Sequence, residues 1–207
     1  MERHGMTLLE IMFVVAILTI VMGAIFGLSI TLSDTANERQ LKALTQDEVR
    51  KGTTMLVRDL HQASRASLSG LPASEISYQI ALDLDGNGTA VDNSGNLELS
   101  DTRTVERDNN DLNGDGITNQ LILDDGNGNF QVLANNLIPD EDTNGNAVLD
   151  DGEDANFNGR LDRGIWFERI GNNVQLTIQT QAQARSKGPK GGHFLTSTMV
   201  EIVSPRN

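Results

Sequence analysis

The sequence predicts an α+β fold, in which one long N-terminal helix packs on a small antiparallel β-sheet domain. Three observations lead to this prediction. An almost purely apolar run extends from Ile11 to about Leu32, and no proline interrupts residues 6–70. Apolar and polar residues alternate in later segments, most clearly from Val174 to Gln179. Clusters of Asp, Asn and Gly, which favour turns, separate these segments.

The apolar run is long enough to cross a lipid bilayer as a helix, which takes about 20 residues. Glu10 lies within the first part of that helix. A charged residue inside a membrane helix costs about 2.5–3.5 kcal/mol on insertion scales. Glu10 therefore needs a functional reason for its position, and it is the first candidate functional residue.

The stretch Gly5-Met6-Thr7-Leu8-Leu9-Glu10, followed by a hydrophobic helix, resembles the N-terminus of type IV prepilins and type II secretion pseudopilins. The resemblance implies that a membrane peptidase cleaves between Gly5 and Met6 and that the new N-terminus is methylated. It also implies that Glu10 pairs with the amino terminus of a neighbouring subunit. Met6 departs from the family pattern, because Phe is the more frequent residue at that position.

Two other interpretations of the N-terminus are weaker. A secretory signal peptide has an apolar core of about 7–15 residues and a small-residue cleavage site, and this run is longer and lacks an Ala-x-Ala site. A plain membrane anchor with an incidental Glu10 near the interface stays open, because a charge there costs less than one at the bilayer centre.

The second part of the helix is predicted to be amphipathic and to reach about Ser69. Apolar residues on one broad side of the helical projection are Leu41, Leu44, Val49, Leu56 and Leu60. The segment from Leu56 to Ala63 resembles the end of the long helix in J- and W-type minor pilins and pseudopilins. The predicted organisation is thus a leader at 1–5, a transmembrane and assembly helix at 6–32, an amphipathic helix at 33–70 and a β-rich domain at 71–207.

Several segments of the C-terminal domain have strand patterns. The candidates are Ile76–Leu82, Ile117–Leu123, Phe130–Leu133, Gly164–Ile170, Val174–Gln179 and Phe194–Val203. The residues 124–128 supply a turn that predicts a hairpin, and Gly171-Asn172-Asn173 supplies another. A long helix followed by antiparallel strands again resembles the J- and W-type minor subunits. The chain of 207 residues has no Cys, so no disulfide can stabilise its loops.

Charge is concentrated between residues 83 and 162. This segment has 19 acidic and three basic residues, a net charge of −16, within a chain whose net charge is −13. Such a segment repels polyanions, because nucleic-acid affinity comes mainly from cationic contacts with phosphates. It should instead attract cations.

The acidic segment ends within a tandem 12-residue repeat at 141–164, whose two units match at seven of 12 positions. Its spacing is that of a calcium loop, with oxygen ligands at positions 1, 3, 5, 7, 9 and 12. In the first unit these ligands are Asp142, Asn144, Asn146, the Val148 carbonyl, Asp150 and Glu153. The second unit offers Asp154, Asn156, Asn158, the Arg160 carbonyl and Asp162, but Ile165 replaces the terminal acid. We therefore expect a Ca²⁺-binding insertion at 138–164.

Two further segments resemble the beginning of such a loop without its terminal acid. Their candidate ligands are Asp83, Asp85 and Asn87 in one segment and Asp111, Asn113 and Asp115 in the other. The alternative is that Asp, Asn and Gly only form turns, and for these two segments it is the favoured interpretation.

The sequence contains no recognisable catalytic motif, so the predicted role is structural and not enzymatic. The resemblance implies a subunit of a type IV pilus or a type II secretion pseudopilus. Its implied partners are other pilin or pseudopilin subunits, the prepilin peptidase and, before assembly, the inner membrane. The final location would be a periplasmic pseudopilus or an extracellular pilus.

Two alternative functions stay open at this point. One is a membrane-anchored, calcium-binding adhesive module. The other is a minor pilin for DNA uptake that uses the basic loop containing Arg185, Lys187 and Lys190. The acidity of the rest of the domain disfavours nucleic acid as a partner.

Overall fold

A single long helix begins the described part of the chain. The computed structural model describes residues 8–64, 68, 71–146, 148–154, 159–184 and 193–205. Helix α1 comprises Leu8–Gln62, which is 55 residues or about 80 Å at a rise of about 1.5 Å per residue. It ends before the predicted Ser69, because the Ser64 N–H donates a 2.8 Å hydrogen bond to the Gln79 carbonyl and Ala63 forms a bridge with Ile80.

The two halves of α1 have opposite environments. From Leu8 to Leu32 the apolar side chains are exposed, and this helix is long and apolar enough, by length and composition, to cross a membrane. In the second half the buried residues are Thr45, Val49, Gly52, Thr53, Leu56 and Leu60. The predicted apolar stripe was wrong for Leu44, which is 55% exposed.

The remaining elements described are strands in two antiparallel sheets. The first sheet contains β1 (Ile76–Tyr78), β2 (Arg103–Asp108), β3 (Gln120–Asp124) and β4 (Phe130–Ala134), in that spatial order. The second contains β5 (Ile165–Ile170), β6 (Asn173–Ala184) and β7 (His193–Val203), also in sequence order. The predicted α+β architecture is confirmed.

Strand β2 is the element that the sequence analysis missed. Its sequence Arg-Thr-Val-Glu-Arg-Asp is rich in charge, and only Val105 and Asp108 in it are buried. It forms because it pairs with β1 on one side and β3 on the other, and it places Asp108 directly opposite Gln120. The predicted hairpins β3–β4 and β5–β6 are both present.

The core lies between the second half of α1 and the sheets. Its largest fully buried side chains include Tyr78, Phe167, Leu56, Leu60, Ile76, Leu121, Leu133 and Leu176. Gly52 permits the close approach of helix and sheet, since a Cβ atom there would lie 3.1 Å from the Ala134 Cβ. The helix therefore serves both as the exposed apolar segment and as one wall of the globular domain.

Candidate metal centres and the N-terminal segment

The predicted insertion at 138–164 leaves and re-enters the domain beside β6. The Ile138 N–H donates to the Gln179 carbonyl at 3.0 Å, and the Gln179 N–H donates to the Gly164 carbonyl at 2.6 Å. Glu141 and Asp162 then join the two ends, because each backbone N–H is bonded to the other residue, at 2.9 and 3.0 Å. These contacts form a stem that fixes both ends of the insertion.

The stem determines the position of Asp162, one of the predicted calcium ligands. This residue is 4% exposed, and its Oδ1 accepts a 3.0 Å hydrogen bond from Gln179 Nε2. Gln179 Oε1 in turn accepts from the Arg163 N–H at 3.1 Å. Asp162 thus holds the base of the insertion to β6.

The first repeat unit gathers several of its predicted ligands around Asp150. Asp150 Oδ2 accepts from the side-chain amides of Asn144 and Asn146, at 2.8 and 2.7 Å. Glu153, the predicted terminal acid, accepts from Thr143 Oγ1 at 2.7 Å and from the Asp150 N–H at 3.1 Å. The carboxylates at positions 9 and 12 are therefore folded back over the beginning of the loop.

Asp142, the predicted first ligand of that unit, has a different neighbour. Its Oδ2 lies 2.5 Å from Arg163 Nη2, and only 6% of its side chain is exposed. The Arg163 guanidinium lies 3.7 Å from the centroid of the Trp166 ring. Sequence reasoning missed this pair, because the two residues are brought together by the stem and not by their spacing.

The second repeat unit is described only in part. Asp154 Oδ2 accepts a 2.8 Å hydrogen bond from the Gly159 N–H, and Arg160 is exposed. The candidate ligands Asn156 and Asn158 lie outside the described residues.

The structure adds an acid to the loop that begins at Asp83. The ligand oxygens of Asp83, Asp85 and Glu98 all lie within 4.8 Å of one another, and this is the one group of three such residues found in the described ranges. Glu98 Oε2 also accepts from the Leu84 N–H at 2.6 Å. Glu98, an acid further along the chain, therefore lies beside the two acids of this loop.

A tight hairpin explains how Glu98 reaches the loop. Val91 and Leu97 form a bridge, and the Glu98 N–H donates to the Ala90 carbonyl at 3.0 Å. The turn between them is closed by Asp92, whose pKa is lowered by hydrogen bonds from Asn96. The sequence Asp92-Asn93-Ser94-Gly95 was the available signal for this turn.

The loop that begins at Asp111 has a buried carboxylate beside it. Asp108, at the end of β2, is 0% exposed, and its Oδ1 accepts from the Leu112 N–H at 2.8 Å. On the other side of the loop, Gln120 Oε1 accepts a 2.9 Å hydrogen bond from Asn113 Nδ2. Gln120 Nε2 donates to Asp115 Oδ2 at 3.1 Å. Sequence reasoning missed Asp108, since it precedes the loop and reaches it through strand pairing.

The candidate loops share a local conformation. In three of them the carboxylate at position 1 accepts from the N–H of the glycine at position 6. These pairs are Asp83 with Gly88, Asp111 with Gly116 and Asp154 with Gly159, at 2.8, 2.9 and 2.8 Å. The oxygen at position 3 accepts from the N–H at position 5 in three loops, through Asp85, Asn113 and Asn144. In these loops the side-chain oxygens at positions 1 and 3 therefore accept hydrogen bonds from backbone N–H groups of their own loop.

Burial shifts the pKa values of three charged groups near the start of the insertion. It lowers the pKa of Arg107, against the opposing effect of Asp140, and it raises the pKa of Asp140 itself. The Arg107 guanidinium donates to the Ile138 carbonyl at the start of the insertion. Burial and the nearby Glu75 also raise the pKa of Glu106.

The N-terminal candidate residues are described only from Leu8 onward. Glu10 lies on the exposed surface of the first turn of α1, whereas Gly5 and Met6 lie outside the described residues. Residues 1–26 match the family model of the prokaryotic N-terminal methylation motif. The chain carries a type IV pilin-like prepilin segment. This prepilin segment and the exposed apolar helix fit a membrane-anchored precursor.

Other comparisons add no further relative. No curated protein and no solved structure gives a significant match to the chain. The family match therefore covers the first 26 residues and does not extend to the globular domain.

Proposed function

We propose that this protein is a minor pilin or pseudopilin, a structural subunit that assembles through α1 and carries a globular head stabilised by Ca²⁺. The observation that carries the assembly role is the prepilin segment at 1–26 joined to a helix whose first half exposes its apolar side chains. Lipid covers that half in the precursor. The helices of neighbouring subunits replace the lipid in the fibre.

The size of the uncovered surface supports assembly. Phe13, Ile17 and Ile20 are 63%, 60% and 73% exposed, although each is large and apolar. An exposed apolar surface of this extent marks a membrane or protein contact. The second half of α1 is buried in the head, so a helix held by its neighbours would hold the head at the fibre surface.

Cleavage after Gly5 would leave a methylated amine at Met6, near the Glu10 carboxylate of a neighbouring subunit. A charge pair in apolar surroundings needs both members, because a single buried charge is strongly unfavourable. We expect Glu10→Ala to reduce incorporation into fibres while membrane insertion is retained. Glu38→Ala, in the same helix outside the apolar run, is the matched control and should assemble normally.

The N-terminus of the native protein tests the assembly role directly. Sheared surface fibres and membranes would be separated, and the terminal peptide in each determined by mass spectrometry. A methylated Met6 start in sheared fibres indicates a pilus, and the same end confined to the envelope indicates a secretion pseudopilus. An intact Met1 start in every fraction would refute the assembly role.

The proposed metal is Ca²⁺ because the candidate ligands of these loops are oxygens of Asp, Asn and Glu side chains and of backbone carbonyls. Ca²⁺ binds six to eight oxygens in an adaptable shell. Asp83, Asp85 and Glu98 bring three carboxylates together, and such a group repels itself without a cation. In the first repeat unit the amide groups of Asn144 and Asn146 would have to turn their oxygens inward, and the Asp142–Arg163 pair would have to open.

Calcium binding can be tested on the full chain in detergent micelles. We expect Ca²⁺ to raise the thermal midpoint of the wild type relative to EDTA, since a ligand that binds only the folded state stabilises it. Glu98→Gln and Glu153→Gln should each reduce this shift. Glu168→Gln, an exposed acid on β5 away from the loops, is the control. A wild-type midpoint that is equal in Ca²⁺ and EDTA would refute the calcium role and leave the assembly role intact.

A further inference from the structure

Asp108 is a buried carboxylate with one oxygen that lacks a partner. Its Oδ2 is inaccessible to solvent and, within the described residues, accepts no hydrogen bond. An ionised carboxylate inside a protein is costly unless hydrogen bonds or an opposite charge compensate it. Among the described ion pairs, none includes Asp108. The oxygen therefore points to a cation.

The carboxylate faces the loop at 111–116. Its Oδ1 is held by the Leu112 N–H inside that loop, and residues directly opposite in an antiparallel pair share a face of the sheet. The residue opposite Asp108 is Gln120, which is 2% exposed and bonded to Asn113 and Asp115. Strand pairing thus places Asp108 beside two of the loop's candidate ligands.

We infer that Asp108 completes a Ca²⁺ site with Asp111, Asn113 and Asp115, in the role that the terminal acid has in a contiguous calcium loop. The inference deepens the proposed function and rests on it for the identity of the ion. The oxygens of the three carboxylates do not form a group within 4.8 Å of one another, unlike those of Asp83, Asp85 and Glu98. Binding would therefore draw exposed Asp115 inward toward Asp108.

The surroundings connect this site to the helix. Gln120 Nε2 donates to Asn135 Oδ1 at 3.0 Å, and the Asn135 N–H and side-chain amide both donate to Glu48 Oε2 on α1, at 2.8 and 3.0 Å. An ion at the loop would fix Gln120, and through it the polar contacts between α1 and Asn135, the residue that follows β4. The site would then stabilise the junction of head and helix.

The test compares Asp108→Asn with the wild-type chain in detergent micelles, with Ca²⁺ alone as the added ligand. Asparagine keeps an oxygen for the Leu112 N–H and removes the carboxylate oxygen that has no partner, so the midpoint in EDTA should be equal or higher. In Ca²⁺ at 100 times the dissociation constant, the variant should lose a shift of about 5–10 °C and bind one equivalent less by calorimetry. Asp125→Asn is the control. Asp125 closes a similar turn, between β3 and β4, but both of its carboxylate oxygens have hydrogen-bond partners, the Asn127 N–H and the Asn129 side-chain amide.

If Asp108 binds no ion, the result is different. The substitution would then change the midpoint equally in Ca²⁺ and in EDTA, which would overturn the inference. If Glu98→Gln and Glu153→Gln still reduce the calcium shift in that case, the proposed calcium-stabilised head stands without this site.

A second measurement covers the case in which Asp108→Asn does not fold. Hydrogen exchange of the wild-type chain should slow in the peptide 108–120 when Ca²⁺ replaces EDTA. Asp115→Asn, at an exposed position, should abolish this slowing. Equal exchange in Ca²⁺ and EDTA in the wild type would overturn the inference.

Discussion

The contact between Tyr78 and Asp59 joins α1 to the first sheet and gives a sharp prediction. Tyr78 is 0% exposed, and its hydroxyl donates to Asp59 Oδ2 at 3.3 Å. The same oxygen accepts from Arg103 Nη1 at 2.8 Å. Burial, and secondarily the charge of Asp59, raises the pKa of Tyr78 above its ordinary value of 10.0.

The substitution Tyr78→Phe removes this hydroxyl and keeps the ring. We expect it to lower the free energy of unfolding at pH 8 by about 1 kcal/mol, the usual net value of one hydrogen bond. Asp59 keeps its contact with Arg103, so no buried acceptor is left without a partner.

The effect should reverse at high pH. Above pH 10 the unfolded chain loses the Tyr78 proton while the folded chain retains it, so wild-type stability falls with a limiting slope of about 1.4 kcal/mol per pH unit. The phenylalanine variant lacks this dependence. The two stabilities should be equal near pH 10.7, and the variant should be more stable by about 1 kcal/mol at pH 11.5.

The assay is urea unfolding of the full chain in detergent micelles between pH 8 and 11.5, followed by the fluorescence of Trp166, the single tryptophan. Asp59→Asn is a useful companion, since it removes the charge and keeps the ring hydroxyl in place. A constant difference between the wild-type and Tyr78→Phe stabilities across the whole pH range would show that this prediction is wrong.

Three further predictions concern packing, and each is measured as a change in the free energy of unfolding. Leu56→Ala, at a core position that is 1% exposed, should cost about 2–5 kcal/mol, whereas Leu44→Ala should cost less than about 0.5. Gly52→Leu should cost about 1–3 kcal/mol or more by forcing α1 away from β4, despite a better helix propensity. Gly164→Ala should cost about 1–3 kcal/mol more than Gly171→Ala. Both have a positive φ, but only the first Cβ would overlap an arginine side chain and a backbone carbonyl. Equal costs for Leu56→Ala and Leu44→Ala, or for Gly164→Ala and Gly171→Ala, would contradict these predictions.

Local patterns in the sequence were sufficient for the elements that depend on near neighbours. The apolar run predicted the exposed first half of α1, and alternation predicted β6 from Val174 to Gln179. The hairpin between β3 and β4 followed from its Asp and Gly turn residues. In each case the determining interactions lie within a few residues along the chain.

Local patterns did not predict the elements and contacts that depend on charged residues or on residues distant in sequence. β2 carries too much charge to suggest a strand, and it exists because its two neighbours pair with it. The end of α1 is set by a hydrogen bond from the Ser64 N–H to the carbonyl of Gln79, the residue after β1. The pairing of Asp142 with Arg163 depends on the stem of the insertion, which brings together residues 21 apart in sequence.

The prepilin segment, the membrane-length helix and the positions of the Asp, Asn and Gly loops were predictable because each depends on residue type and spacing alone. The acid that lies beside each loop depends on contacts between distant parts of the chain. Glu98 reaches Asp83 through a hairpin, and Asp108 reaches the loop at 111–116 through the register of β2 and β3. Strand register joins residues that are distant in sequence, and it is specified by which face of each strand is buried.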